Sequence, residues 1–324
     1  MQYIPYKTRK KTQDCFYRIK KNNASQDTQT VRPFVKWAGG KGQLLKEIQK
    51  IYPTGLGKIY TKYAEPFVGG GAVLFDILNK YTLHEVYISD INKELIATYT
   101  AIRDSLEELS TLLKIFHNEY NKLNSEMRKK YYYEKRILYN YSKNIKNKNA
   151  EIECSALFIF LNKTCFNGLY RVNINGDFNV PMGAYKNPLI YDFENLHNIS
   201  RKLQNVYITC KDYRDSDSFI NGKTFVYFDP PYRPITETSS FTAYTEKPFD
   251  DNAQIALAEY VNYLNSKGAK IIVSNADPKN TNAKDNFFEK LYASYHIDRV
   301  QATRMINSNG IARGKINELL IRNF

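Results

Sequence analysis

The stretch Tyr63 to Asp90, "YAEPFVGGGAVLFDILNKYTLHEVYISD", passes from an apolar and aromatic run through three glycines into helical spacing, and ends on a second strand-like run closed by an acid. This is the order of a βαβ unit, in which a tight glycine turn joins the first strand to its crossover helix. Gly69 and Gly71 let the backbone approach a ligand closely, since a Cβ at either position would fill the space. GxG alone lacks the third glycine of the dinucleotide fingerprint. Asp90 strengthens it, standing twenty-one residues after Gly69, near the spacing at which a second-strand carboxylate meets ribose hydroxyls. The pair reads as a nucleoside site. The alternatives are a plain strand-to-helix turn for the glycines and a helix N-cap for Asp90, at the start of "DINKELI".

Outward from this unit, "QLLKEIQKIY" has helical spacing. Further strands are expected at "NVYITC", "TFVYFD", "KIIVSN", "IDRVQATRM" and "NELLIRNF", giving seven with "IYTKYAEPF" and "HEVYISD". Strands separated by helices indicate an α/β fold, a doubly wound and mostly parallel sheet. Between the second and third strands, "ELIATYTAIRDSLEELSTLLKIFHNEYNKL" is helical for longer than one crossover needs. We therefore expect a mainly helical insert over residues 96–199, with residues 31–95 and 200–324 forming the sheet domain. "KWAGGKGQLL" is no phosphate-binding P-loop, because Gly42 follows Lys41 and Val35 stands five residues before Gly40. It reads as a loop that brings Trp37 and Lys41 to a pocket.

Forty-seven Lys and Arg against 33 Asp and Glu leave a net charge of +14, which suits a polyanionic partner such as nucleic acid. Ser125 to Ala150 carries eight basic residues against two acids, interleaved with five tyrosines. It reads either as a nucleic-acid contact or as a solvated helix face. Residues 1–30 hold seven basic residues against two acids and read as a flexible arm, either touching phosphates or simply solvated. The four cysteines and four histidines show no metal-ligand spacing, so no metal is expected and the cysteines read as reduced thiols of a cytoplasmic protein. Nothing in the chain addresses it to a membrane.

"TFVYFDPPYRP", Thr224 to Pro234, is a strand apolar on both faces that stops on Asp229. In a doubly wound sheet ligands collect beyond the carboxyl ends of the strands. Pro230 and Pro231 lock the backbone and lack donors, so Asp229 and the Pro230 carbonyl make a rigid acceptor pair beside the Tyr232 ring. A planar group stacked on that ring can give both hydrogens of an exocyclic amine to the pair. Such acceptors free the nitrogen lone pair for attack and stabilise the charge that develops there. The plain alternative is a proline turn.

Taken in order, "FVKWAGGKGQLL", "EPFVGGG", "YISDINKELI", "NGLYRVNINGDFNVPMGAYKNP" and "DPPY" make the chain resemble the Dam-type DNA adenine N6-methyltransferases from Val31 to Phe324. The resemblance implies S-adenosylmethionine as methyl donor, S-adenosylhomocysteine as product, and base flipping at a double-stranded GATC site. It sets Trp37 and Lys41 beside the donor and Glu65, Phe67, Gly69 and Gly71 around its methionine part. Asp90 falls on its ribose, and Asp212 and Tyr213 on its adenine. Asp229, Pro230, Pro231 and Tyr232 become catalytic. Phe166 and Asn167 would brace the opened duplex, and Arg171 would read a guanine. Lys36, Leu169, Pro181 and Tyr185 would make further base contacts, and Asn173 a phosphate contact. Ala184 departs from the family, whose members often carry Arg there; Lys186 is the candidate replacement. The resemblance allows a cognate restriction endonuclease as a second partner in the cell. Related enzymes that methylate cytosine N4 or guanine in RNA use a similar motif, but Asp229 and the insert favour adenine. A DNA-binding protein without catalysis fits less well, because the catalytic segment is intact.

Overall fold

The computed structural model describes residues 29–233, 249–303 and 315–324. Residues 1–28 of the basic arm, Pro234, and Arg304 and Met305 of the sixth expected strand lie outside the described residues. The strands are β1 (Lys62–Glu65), β2 (Glu85–Ser89), β3 (Val206–Thr209), β4 (Thr224–Phe228), β5 (Lys270–Ala276), β6 (His296–Thr303) and β7 (Lys315–Arg322). The helices are α1 (Leu45–Lys50), α2 (Ala72–Lys80), α3 (Lys93–Asp104), α4 (Leu106–Lys122), α5 (Ser125–Ser142), α6 (Lys148–Thr164), α7 (Phe193–Leu203), α8 (Asp251–Ser266) and α9 (Phe287–Leu291).

All seven strands join one sheet in the order β3-β2-β1-β4-β5-β7-β6. The first five run parallel, and β7 lies antiparallel between β5 and β6. Strand order reverses between β1 and β4, so the glycine turn after β1 and the Asp-Pro-Pro-Tyr turn after β4 share the crevice where such sheets bind ligands.

Every residue of β4 is buried, and its alternation divides the core. Phe225 and Tyr227 join one apolar cluster with Tyr63, Ile88 and Ile272, while Val226 and Phe228 join the opposite one with Ala64, Leu257 and Val273. Burying each large side chain contributes about 1.5–3 kcal/mol. The first cluster continues into the insert through Leu113, Phe116, Tyr132, Phe158 and Phe160. α3 crosses residue 95 and α7 crosses residue 199, the positions at which the sequence reading divides the chain.

The long helical stretch breaks at Ser105, whose φ of −142° and ψ of 40° end α3. The Arg103 carbonyl there accepts from Ser200 Oγ at 3.3 Å and Gln204 Nε2 at 3.1 Å, so α7 satisfies a helix end that would otherwise lack a donor. No helix among the described residues is long and apolar enough to cross a membrane.

Candidate active site

Gly69 and Gly71 take φ of 47° and 73°, the left-handed region that a side chain disfavours. The space beside them is occupied by the protein's own rings, contrary to the expectation that a ligand fills it. A Cβ on Gly69 would lie 2.7 Å from Trp37 Cδ1, and one on Gly71 2.4 Å from Tyr99 Oη. Tyr99 Oη in turn donates to the Gly69 carbonyl at 3.1 Å. Asp90 is not the cap of α3; Asn92 is, accepting from the Leu95 N–H at 2.8 Å. Asp90 instead accepts from the Gly69 N–H at 3.1 Å and the Asn92 N–H at 2.9 Å. Burial raises its carboxyl pKa, and those backbone bonds oppose the rise.

At the end of β4, Asp229 Oδ1 accepts from Ser274 Oγ on β5 at 2.9 Å and pairs with Lys41 Nζ at 2.7 Å. The Lys41 side chain is 4% exposed. Its ammonium also donates to the Gly39 carbonyl at 2.8 Å and to Tyr232 Oη at 2.7 Å. Tyr232 Oη donates onward to Glu318 Oε2 of β7. Burial first, then the Asp229 and Glu318 charges, push the Tyr232 hydroxyl well up.

The turn itself is pinned from behind. Gln254 Nε2 donates to the Pro231 carbonyl at 3.1 Å, and Gln254 Oε1 accepts from the buried Asn275 Nδ2 at 3.1 Å. Arg233 ends the turn with both Asp251 oxygens at 2.6 and 2.9 Å and Asp285 at 2.7 Å, over the Phe287 ring. Among the described residues no donor is bonded to the Pro230 carbonyl.

Glu65, fully buried at the end of β1, accepts from Tyr63 Oη at 2.7 Å. Burial pushes its carboxyl well up, and the Asp229 charge adds to the rise. Phe67 and Tyr213 stack at 5.3 Å and 28°, giving the crevice an aromatic wall. Asp212 Oδ1 accepts from the Arg214 N–H at 3.1 Å and from Arg214 Nε at 2.7 Å.

Apart from Lys36, in the loop before α1, the residues expected to face DNA follow α6. The Phe166 N–H donates to the Pro181 carbonyl at 2.9 Å, and the Gly183 N–H to the Thr164 carbonyl at 2.8 Å, pairing the two segments. Phe166 is 51% exposed, next to Asn167 at φ 55°, a conformation few residues other than glycine adopt. Leu169 packs partly into the core. Lys36 Nζ sits 3.2 Å from Tyr185 Oη and 4.5 Å over that ring. Arg171 Nε donates to Asn179 Oδ1 at 2.7 Å. Asn173 Oδ1 accepts the N–H groups of Asn175 and Asp177, so this oxygen shapes the turn.

Several organising residues escaped the sequence reading: Ser274 and Glu318 at the acceptors, Gln254 and Asn275 behind the prolines, and Asn162. Asn162, 4% exposed, bonds both the N–H and the carbonyl of Lys36 at 2.8 Å and the Gly168 carbonyl at 3.0 Å, so it ties the first loop to the Phe166 turn. The available signal was a lone polar residue inside an apolar run, as in "FIFLNK" and "KIIVSNA".

A crevice that joins the Gly69 turn and Asp90 to the Lys41 amine held on Asp229, just before two prolines, is the arrangement expected of an amino-methyltransferase, and comparison with known proteins agrees. Residues 37–306 match the family model described as D12 class N6 adenine-specific DNA methyltransferase. The chain is 48% identical over 299 residues to the type II methyltransferase M.MjaIII of Methanocaldococcus jannaschii, covering 91% of this chain and 99% of that one. It is 37% identical to the type II methyltransferase M1.LlaDCHI of Lactococcus lactis subsp. cremoris, covering 91% and 96%. With the DNA adenine methylase of Escherichia coli it shares 34% over 291 residues, covering 89% and 94%. The chain therefore belongs to the D12 class of N6 adenine-specific DNA methyltransferases, a family that acts on DNA with S-adenosylmethionine as methyl donor.

Proposed function

We propose that the protein methylates N6 of an adenine flipped out of double-stranded DNA at GATC, with Asp229 and the Pro230 carbonyl as the acceptors that hold the reacting amine. The observation that carries this reading is the Lys41 ammonium on Asp229: at 2.7 Å an amine already occupies the place assigned to N6. The donor contributes a sulfonium methyl group.

The residues of this chain fit that donor. Asp90 holds the Gly69 turn and keeps acceptor capacity for ribose hydroxyls. The Phe67 and Tyr213 pair offers flat surfaces to an adenine. Trp37, Lys41, Glu65, Gly71 and Asp212 complete the candidate donor set. On the target side, Tyr232 stacks on the base while Asp229 and the Pro230 carbonyl accept its two amine hydrogens. With both hydrogens held, the nitrogen lone pair is freed for attack; a bound donor would supply a methyl group whose bond to sulfur breaks as the bond to N6 forms, releasing S-adenosylhomocysteine, and N6 would then give up one proton.

Flipping costs a few kcal/mol of unstacking, and the exposure of Phe166 beside the left-handed Asn167 supports a bracing role for the pair. Arg171, aimed by Asn179, reads guanine O6 and N7. Lys36, Leu169, Pro181 and Tyr185 make further base contacts, with Asn173 toward a phosphate. Residues 96–199 then act as the target-recognition unit. Single-molecule sequencing of DNA from cells making the protein tests the reading. N6-methyladenine confined to GATC is expected; methylation in another context refutes the site, and N4-methylcytosine alone refutes the target base.

A further inference from the structure

Lys41 presents a problem for catalysis. Its ammonium holds Asp229 Oδ1 at 2.7 Å, an oxygen that also receives Ser274 Oγ, so the target amine cannot bind there until Lys41 moves. An ammonium this buried cannot be left without a counter-charge. Among the described residues, the other carboxylate within 4.0 Å of Nζ is Glu318, through Oε2. Closing that gap to a charge-assisted hydrogen bond of about 2.8 Å is a movement of about 1 Å. Tyr232 Oη stands between the two groups, accepting from Lys41 and donating to Glu318. Glu318 itself is held rigidly, because β7 is paired on both sides, with Ala276 of β5 and Val300 of β6 opposite it.

We infer that Glu318 is a positioning residue for methyl transfer: its carboxylate fixes the Tyr232 ring and receives the Lys41 ammonium when the target amine takes that ammonium's place on Asp229. The inference rests on the proposed transfer at Asp229. The exchange makes and breaks no covalent bond: the Lys41 amine moves from one acceptor to another.

Glu318→Gln separates the two duties, because the amide oxygen still accepts from Tyr232 but carries no charge. The test is single-turnover methylation at saturating donor and DNA, in the wild-type and Lys41→Met backgrounds, with thermal melting and circular dichroism as folding controls. Glu318→Gln is expected to slow transfer on the order of tenfold in the wild-type background, and the double variant to be no slower than Lys41→Met alone. Glu318→Asp, which keeps the charge, is expected to recover part of the rate. Equal losses in both backgrounds, an unchanged rate for Glu318→Gln in the wild type, or no recovery with Asp would overturn the inference. A wild-type protein that makes no N6-methyladenine would instead sink the proposed function as well.

Discussion

Asp90 Oδ2 accepts the Gly69 N–H at 3.1 Å, so the acid that ends β2 fixes the turn that follows β1. Replacing it with Asn turns one acceptor into a donor facing a backbone N–H. Asp90→Asn should weaken S-adenosylmethionine binding by about 1 to 3 kcal/mol, roughly 5- to 150-fold. Calorimetric titration checks this, and unchanged affinity would remove Asp90 from the donor site.

Gly71 combines φ of 73° with a Cβ position 2.4 Å from Tyr99 Oη. Gly71→Ala should destabilise the fold by about 1 to 3 kcal/mol. Adding Tyr99→Phe removes the clashing oxygen and should restore only part of the loss, because the backbone strain remains. Thermal melting of the three variants separates the two contributions.

Arg171 and Asn179 should act together on sequence choice. Arg171→Ala is expected to cost about 1 to 3 kcal/mol of discrimination at one guanine, and Asn179→Ala to give a smaller loss at the same base pair. Competition between single-base variants of the site measures this. A uniform loss across all sequences would mark Arg171 as a phosphate contact.

Glu65 makes a pH-dependent contribution whose sign follows from burial, which holds its folded-state pKa above the ordinary 4.5. The stability this group contributes is complete below that ordinary value and is lost as pH rises through the raised one, because the buried carboxyl must then ionise. Glu65→Gln should therefore be more stable than the wild type by about 1 to 3 kcal/mol near pH 8, with the difference shrinking as pH falls. Melting curves across pH test it; a difference that grows toward acid would reverse the assignment.

Much of this was legible in the chain because it rests on local chemistry. The seven strands carry β-branched and aromatic runs, the glycine turn lies between a strand and a helix, and the Asp-Pro-Pro-Tyr turn follows a strand buried on both faces. Pairings between distant segments were not legible. β7 inserts antiparallel between β5 and β6, and nothing in "NELLIRNF" states its neighbours. Glu318 meets Tyr232 across 86 residues of sequence. The rings that fill the space beside Gly69 and Gly71 come from the loop before α1 and from α3, so the glycines alone pointed to a ligand. The break at Ser105 depends on α7 side chains that close the end of α3, far along the chain.

The proposed reaction depends on Asp229 holding the amine that is methylated. Single-turnover reactions of the wild type and Asp229→Ala on duplex DNA, followed by nucleoside mass analysis and paired with donor titration, test it most directly. The wild type is expected to yield N6-methyladenine, and the variant to show near-normal S-adenosylmethionine binding with transfer slowed by a hundredfold or more, on the order of the loss of one preorganised transition-state contact. Turnover of Asp229→Ala within a few-fold of the wild type, about 1 kcal/mol or less of lost transition-state stabilisation, would contradict it.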